Sequence, residues 1–190
     1  MILNTTYFGS VGWYSRIVCS DEPVYIEAHE NFVKQSTRNR CHIATANGAQ
    51  KLSVPVTLSA ERKTPICDVL ISDHGNWRHQ HWEALCSAYG MSPFFEYYAD
   101  DIRPFFVEKW NRLFDYNMAI TQKMLSLIGI EKKIGVTDSY KGVTPIVDDI
   151  QLPPYYQTFQ RRYDFLPDMS ILDLLFNEGP ESMLILNLRK

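Results

Sequence analysis

The chain has 190 residues, with 19 lysines and arginines against 22 aspartates and glutamates, which gives a formal net charge of −3. This mild acidity argues against a polybasic nucleic-acid binder, whose affinity depends on many phosphate contacts, so we expect no nucleic-acid partner. The length predicts a single domain over residues 1–190, because a domain averages about 150 residues. A domain of this size buries roughly 70% of the surface of its unfolded chain and needs neither disulfides nor a structural metal to fold.

The sequence shows no sign of a leader peptide or a membrane span. Its first 18 residues lack a basic start, a sustained apolar stretch and a small-residue cleavage site. No apolar run approaches the roughly 18 residues of a transmembrane helix. The four cysteines contain no CxxC pair, which excludes the common zinc-ribbon and thioredoxin signatures, and reduced thiols explain them. We therefore expect a cytoplasmic protein without a membrane span and without a cofactor.

Strands and one short helix are predicted in the first third of the chain. A strand begins at Ile2, a short helix covers residues 13–18, and residues 24–26 form a second strand. Asn47-Gly48 is a strong hairpin signal, so we predict two strands around it, at residues 41–46 and 52–56. Residues 67–71 are a further strand candidate.

From Asn76 onward the pattern becomes helical. We predict helices from Asn76 to about Tyr89, from Ser92-Pro93, from Pro104, and over residues 113–128, where Gly129 follows. Residues 131–154 contain several glycines and prolines and are predicted to form a long connection with one short strand.

The C-terminal part is also predicted to be helical. Ser170 and Asp173 form an S-x-x-D capping pattern before an apolar run. Gly179 breaks that helix, and Pro180 starts the last one, which we expect to reach Lys190. Strands first and helices later predict an α+β or mixed α/β fold, with a strand-rich N-terminal part and a helical C-terminal part in one domain.

Three of the five histidines lie between His74 and His81. A metal site is one interpretation, since neutral imidazole is a common ligand. However, His79 and His81 are about 200° apart around a helix that starts at Asn76, so they lie on different faces. Two alternatives remain: His81 is half-buried and hydrogen-bonded in the core with His79 solvated, or His81 lines a pocket wall as an acid, base or hydrogen-bond donor.

The densest polar run extends from His29 to His42. Arg38 and Arg40 could hold a phosphate or carboxylate, and in an extended chain two residues spaced in this way point to the same side. The alternative is a solvated loop with surface ion pairs. Cys41 could be a thiolate nucleophile beside Arg40 and His42, but its place at the head of a strand favours a buried structural thiol.

Nine aromatic rings lie in the 23 residues from Phe94 to Tyr116. They could form a stacking platform for sugars or bases, but helix packing around prolines is the favoured interpretation. A second aromatic group, Tyr155-Tyr156, follows the long connection, so one of its tyrosines could line the edge of a cleft.

Read together, these segments resemble the WbqC-like family. The matching pieces are Tyr7-Phe8-Gly9 before Trp13-Tyr14, Arg38-Asn39-Arg40, Asn47-Gly48 before Leu52-Ser53-Val54-Pro55-Val56, Trp77 with His81, Ala88-Tyr89, Pro93-Phe94-Phe95, Tyr156-Gln157, and Ser170 to Asn177 with Gly179-Pro180-Glu181. The resemblance implies an uncharacterised bacterial cytoplasmic protein of the kind associated with O-antigen or other surface-polysaccharide genes. It also implies transfer of glycine or a related acyl group onto a sugar. The chain departs from longer members at His29-Glu30, where many have an acidic pair, and after Ile130, where it is shorter.

Two functional hypotheses follow. In the first, a transferase binds a small-molecule or sugar-linked anionic substrate, with His81 or His29 as the catalytic base and no metal. Its substrate-binding residues would be Tyr7, Arg38, Asn39, Arg40, Trp77, Tyr156 and Gln157. The alternative is a non-enzymatic binding or scaffold protein that docks a partner through an aromatic surface. Burial of Phe94, Phe95, Phe105 and Phe106 would count against that alternative. The oligomeric state is not predicted.

Overall fold

The computed structural model describes residues 1–58, 63–144 and 152–187. Within them the strands are β1 (Ile2–Asn4), β2 (Val24–Glu27), β3 (Arg40–Thr45), β4 (Gly48–Ser53), β5 (Val56–Thr57), β6 (Leu70–Ile71) and β7 (Ile134–Val136). The helices are α1 (Val11–Val18), α2 (Trp77–Tyr89), α3 (Phe95–Ile102), α4 (Pro104–Val107), α5 (Leu113–Ile128), α6 (Gln160–Tyr163), α7 (Ile171–Glu178) and α8 (Ser182–Asn187). Strands lie mostly in the N-terminal half and helices in the C-terminal half, which confirms the mixed α/β prediction.

A three-stranded parallel sheet, with the order β1-β2-β7, lies at the centre of the fold. Leu3 of β1 and Val24 and Ile26 of β2 are buried on its inner face, as part of the hydrophobic core. Because parallel strands end at the same side of a sheet, the loops after the three strands start next to one another. This carboxyl edge is where ligands gather in open α/β sheets.

Glu27, the last residue of β2, holds these loops together. Its fully buried carboxylate accepts hydrogen bonds from His29 N (2.9 Å), Thr137 Oγ1 (2.8 Å), Lys141 N (2.8 Å) and Gly142 N (3.0 Å). Burial alone would raise the pKa of this carboxyl, but the four donors together lower it below its ordinary value. The charged side chain therefore fastens residues 137–142 across the end of the sheet.

Strands β3 and β4 form the predicted hairpin, with Thr45 opposite Gly48. Ala46 and Asn47 make the turn, and Gly48 follows with a φ of +90°, which glycine adopts without steric cost. The second strand therefore begins at Gly48, four residues before the predicted position.

The strand predicted over residues 67–71 is wrong for most of its length. Ile66–Asp68 form a 3-10 turn, and only Leu70–Ile71 pair as a strand, with β5. The physical reason is tertiary: the amides of Ile66 and Cys67 donate to the backbone carbonyls of Glu30 and Ala28, in the loop after β2. The helix predicted from Ser92-Pro93 likewise starts later, at Phe95, and α6 was not predicted.

Side chains cap helices α1 and α7 at their N-termini, whereas Asn76, the residue before α2, makes no capping hydrogen bond with its side chain. Ser10 Oγ caps α1 by accepting a hydrogen bond from Trp13 N at 3.3 Å. The carboxylate of Asp168 also accepts a hydrogen bond from Gly12 N, at 2.8 Å. Ser170 caps α7 through its hydroxyl, but Asp173 does not complete a capping box because its carboxylate turns inward. The extension of the last helix to Lys190 lies outside the described residues, as do residues 145–151 of the long connection.

Most rings between Phe94 and Tyr116 belong to the hydrophobic core, which confirms the packing interpretation. Phe95, Phe105 and Phe106 are each at most 8% exposed, Phe94 is partly exposed, and Tyr97 is 76% exposed. Burial of the first three argues against an aromatic docking surface built from them. Among the helices of the described residues, none combines the length and the apolar character needed to cross a bilayer.

Candidate functional site

The side chains of Tyr7 and His81 form a buried pair. Tyr7 lies in the loop after β1, His81 lies on α2, and the Tyr7 hydroxyl is 2.9 Å from His81 Nδ1. The His81 imidazole also bonds to the backbone of Ser53 in a way that favours the protonated ring. That effect identifies a carbonyl acceptor, so the imidazole donates to Ser53 and Nδ1 accepts the Tyr7 O–H.

Both members of the pair are uncharged at neutral pH. Burial lowers the pKa of His81 to about 4, and the bond to Ser53 opposes this shift only in part. Burial also raises the pKa of Tyr7 well above its ordinary value, with a smaller contribution from Tyr116. His81 is therefore in its base form at pH 7.

Aromatic rings enclose this pair. Trp77 lies one helical turn before His81, and their ring centroids are 5.2 Å apart. Tyr116 stacks on Tyr7 with 5.9 Å between the centroids. The structure thus brings together three predicted site residues, Tyr7, Trp77 and His81. His81 is 6% exposed and His79 is exposed, which agrees with the interpretation that places His81 in the core.

Arg78 is a site residue that the sequence reasoning missed. Its guanidinium carbon lies 4.5 Å from the centre of the Trp77 ring, and its Nη1 donates to Asp73 Oδ1 at 2.7 Å. Its Nε and Nη2 are buried and have no hydrogen-bond partner in the described part of the chain. The sequence feature that could have identified Arg78 was its position between Trp77 and His79 in the histidine-rich segment.

Arg38 is already paired within the protein. Its Nε donates to Glu30 Oε1 at 2.8 Å and its Nη2 donates to Oε2, which makes a bidentate pair. Residues 37–39 form a turn, with Asn39 N donating to Ser36 O at 3.2 Å. The extended spacing expected for Arg38 and Arg40 is therefore wrong, because the turn separates Arg38 from the strand that begins at Arg40.

Several other polar atoms nearby are buried without a partner in the described residues. They are Thr5 Oγ1, Thr6 Oγ1, Asn39 Oδ1, Arg40 Nε and Asn117 Oδ1. In both asparagines a hydrogen bond from the amide nitrogen fixes which way the side chain is turned. Asn39 Nδ2 donates to Val54 O at 2.9 Å, and Asn117 Nδ2 donates to Arg38 O at 2.8 Å. A buried polar group without a partner costs about 1–3 kcal/mol, so these atoms are candidates for hydrogen bonds with a bound polar group.

Backbone contacts link the segments that carry these residues to the loop after β1 at the carboxyl edge. Tyr7 N donates to Thr37 O at 2.9 Å, which joins the loop after β1 to the turn before Arg40. Arg40 pairs across the hairpin with Ser53, whose backbone binds the His81 imidazole. We name this set the carboxyl-edge cluster; its members are Tyr7, Asn39, Arg40, Arg78, His81 and Asn117.

His29 also lies at the carboxyl edge, directly after β2. Its backbone N donates to Glu27, and its side chain is partly exposed. Within residues 1–58, 63–144 and 152–187, no hydrogen bond, ion pair or ring contact joins its imidazole to the carboxyl-edge cluster. The structure thus separates the two predicted catalytic histidines by burial: His81 lies in the core and His29 closer to the surface.

Tyr156 and Gln157 belong to a second cluster. Gln157 Nε2 donates to Asp173 Oδ2 at 2.8 Å, and Tyr155 donates to the same oxygen at 2.7 Å. Burial raises the pKa of Asp173, and its carboxylate also bonds to Tyr89 at the end of α2. Tyr89 is eight residues beyond His81, about 12 Å along the helix axis. Gln157 and the half-exposed Tyr156 therefore lie apart from the carboxyl-edge cluster.

Cys41 has the surroundings of a structural thiol in this fold. Cys41 is 5% exposed, and burial raises the pKa of its thiol far above the ordinary value, as expected for a structural thiol. All four cysteines are free of disulfides. Searching the described ranges finds no group of three or more His, Cys, Asp or Glu side chains that could hold a metal ion.

Three surface concavities are lined by residues outside the carboxyl-edge cluster. One of about 750 Å³ surrounds the end of α5, and one of about 450 Å³ lies between α4 and α5. A third, of about 370 Å³, lies on the outer face of the central sheet. Tyr7 is fully buried, whereas Arg40 and Arg78 are partly exposed, so a ligand would meet the arginines first.

Comparison with known proteins found one matching family and one matching relative. Residues 5–148 match the model of the WbqC-like protein family, which is roughly three quarters of the chain. The uncharacterised protein Rv1507c of Mycobacterium tuberculosis is 25% identical over 219 residues, covering 95% of this chain and 94% of that protein. No solved structure matches the chain. The family match covers every member of the carboxyl-edge cluster and ends before Asp173, and the chain belongs to the WbqC-like protein family.

Proposed function

We propose that this chain is a transferase that moves an acyl or aminoacyl group, such as glycine, onto a sugar in bacterial surface-polysaccharide (O-antigen) biosynthesis in the cytoplasm. The observation that supports this most is the neutral His81, held against Tyr7 beside arginine nitrogens that have no protein partner in the described residues. A base form of histidine next to fixed positive charge suits acyl transfer, in which a proton is taken up and an oxyanion develops.

The unpartnered atoms of the carboxyl-edge cluster match the two ends of an aminoacyl group. Arg40 Nε and the two nitrogens of Arg78 can only donate, so they suit carboxyl-derived or phosphate oxygens. Asn39 Oδ1 and Asn117 Oδ1 can only accept, so they suit an ammonium or hydroxyl group. A donor that carries both kinds of group, as a glycyl donor does, would satisfy both sets.

The proposed step uses the Tyr7–His81 pair. A sugar hydroxyl attacks the carbonyl carbon of the donor and forms a new C–O bond, while His81 Nδ1 takes the hydroxyl proton. The bond to the leaving group then breaks, and the leaving group departs with the electron pair and that proton. The Tyr7 hydroxyl can then donate its hydrogen to the developing oxyanion instead of to Nδ1.

The other predicted residues take supporting positions in this proposal. Trp77 holds Arg78 by stacking, and Arg38 braces the turn before Arg40 through Glu30. His29 is the alternative base, because its imidazole is partly exposed at the same edge of the sheet. Tyr156 and Gln157 would act on a more distant part of the substrate.

A mass-spectrometric transfer assay tests the proposal. The purified chain is incubated with acyl-CoA or aminoacyl donors and a panel of nucleotide sugars, and acylated sugar is expected. His81→Asn should lower turnover by about 100-fold or more, since general acid–base catalysis contributes at least that much. His79→Asn, on an exposed face of the same helix, is the matched control and should leave turnover unchanged.

Each failure in that assay has a distinct meaning. Absence of acylated sugar with every donor would refute the transferase assignment. Acylated sugar formed at an undiminished rate by His81→Asn would refute the role of His81, and His29→Asn would then test the alternative base.

A further inference from the structure

The concavity on the outer face of the central sheet has the size of a small-molecule site. Its volume is about 370 Å³, and its lining comes from all three strands and the loop after β7. The lining residues are Ile2, Tyr25, Val136, Thr137, Asp138 and Lys141. None of them belongs to the carboxyl-edge cluster, so this feature is separate from the site described above.

Tyr25 forms an aromatic platform in this concavity. It pairs with Gly135 of β7 in the parallel register, and its side chain is 44% exposed although it lies on the central strand. A Cβ at Gly135 would lie 2.5, 2.6 and 3.4 Å from Tyr25 Cδ1, Cε1 and Cγ. The ring therefore lies over the bare backbone of Gly135, in the space that a side chain would occupy, and leaves the remainder of its surface to solvent.

Two charged side chains, Asp138 and Lys141, lie beside this ring on the loop after β7. Asp138 Oδ1 lies 3.4 Å from Lys141 Nζ, and Ser139 donates to the same carboxylate oxygen at 3.0 Å. The loop that carries them is held by Glu27, which accepts from Thr137 Oγ1 and from the backbone amides of Lys141 and Gly142. The wall of the concavity is thus anchored to the sheet by a buried carboxylate.

We infer that this concavity is a sugar-binding subsite, which holds a single pyranose ring against the exposed surface of Tyr25. The apolar face of a pyranose packs on an aromatic ring, while its hydroxyl groups bond to a carboxylate that accepts and an ammonium that donates, as Asp138 and Lys141 do. Its role as the acceptor subsite rests on the proposed function, but the binding of sugar does not.

An NMR titration tests the inference. The 15N-labelled full chain is titrated with D-glucose, N-acetyl-D-glucosamine and D-glucuronate, and with uridine as a planar ligand that lacks a pyranose. The sugars should shift the amide signals of Val136 and Thr137. Tyr25→Leu should raise the Kd about tenfold, because it removes the aromatic contact and keeps an apolar side chain on Gly135. Tyr97→Leu removes an exposed ring outside the concavity and should leave the Kd unchanged.

The possible results separate this inference from the proposed function. The inference is overturned if no sugar moves the two amide signals, if Tyr25→Leu binds sugar as tightly as the wild type, or if uridine binds in place of the sugars. Sugar binding without acyl transfer would leave the subsite intact and refute the transferase. Acyl transfer with the same acceptor KM in wild type and Tyr25→Leu would overturn the acceptor role of this subsite and leave the transferase.

Discussion

Acidification should destabilise this fold through His81. The unfolded imidazole has its ordinary pKa of 6.5, whereas the buried imidazole of the folded chain has a pKa of about 4. Between these values the unfolded chain binds a proton that the folded chain does not, so the free energy of unfolding falls as the pH drops through this window. The difference of 2.5 units at 1.36 kcal/mol each corresponds to about 3 kcal/mol.

Urea unfolding of the wild type and His81→Asn, at several pH values between about 7 and 4, measures this contribution. Asparagine keeps an acceptor near the Tyr7 hydroxyl and removes the titrating ring. Over this range the wild type should lose about 3 kcal/mol more than the variant, because the carboxyl groups contribute equally to both. His79→Asn should follow the wild-type curve, since it changes an exposed imidazole on the same helix.

Parallel curves for the wild type and His81→Asn would refute this reasoning, because they would show that His81 takes up its proton equally in both states. An imidazole NMR titration of the folded chain provides a second check. A midpoint for His81 at the ordinary value, instead of about 4, would contradict the neutral base on which the proposed reaction depends.

Three further substitutions test the packing around the sheet and α7. In Glu27→Gln the new side-chain NH2 replaces a carboxylate oxygen that accepts two hydrogen bonds, so it faces two donors. The free energy of unfolding, measured with urea at neutral pH, should fall by about 3 kcal/mol. Because the pKa of Glu27 is lowered, this cost should shrink as the pH falls below about 4.5, and a pH-independent cost would contradict the assignment. Gly179→Ala places a Cβ 2.6 Å from the Phe94 ring at a φ of +53°, so it should lower the free energy of unfolding by about 3 kcal/mol, measured by thermal unfolding. Gly142→Ala is the control, because no atom lies within 4 Å of the Cβ position at Gly142; an equal loss in both variants would disprove the clash. Asp173→Asn keeps a carbonyl acceptor for Tyr155 and Gln157, so it should stay within about 1 kcal/mol of the wild type at pH 7. Asp173→Ala removes the acceptor and should lose about 3 kcal/mol; equal losses in the two variants would contradict this.

Local patterns predicted the elements that local interactions determine. Helix α5 spans Leu113–Ile128, as its apolar stripe and the following Gly129 indicated. The strand over residues 67–71 could not be rejected from sequence, because the amides that bend it bond to carbonyls more than 30 residues earlier. Asp173 fits a local capping pattern, yet it turns toward Tyr155 and Gln157 because of contacts that no spacing reveals.

The candidate site was predictable only where motifs marked its members. The family motifs singled out Tyr7, Trp77 and His81, and these three meet in the structure. Arg78 belongs to no motif in the sequence. It is a candidate because two of its nitrogens have no hydrogen-bond partner among the described residues, which only the structure reveals. For Arg38 the sequence left an anion site and a loop with ion pairs open, and Glu30, eight residues earlier, pairs with it through a fold-dependent turn.

The most direct test of the account is a cocrystal structure of the chain with the donor that the transfer assay selects. The account predicts donor oxygens in contact with Arg40 or Arg78, and the donor carbonyl within hydrogen-bonding distance of the Tyr7 hydroxyl. A donor bound in the concavity at the end of α5, with the carboxyl-edge cluster still closed, would contradict it.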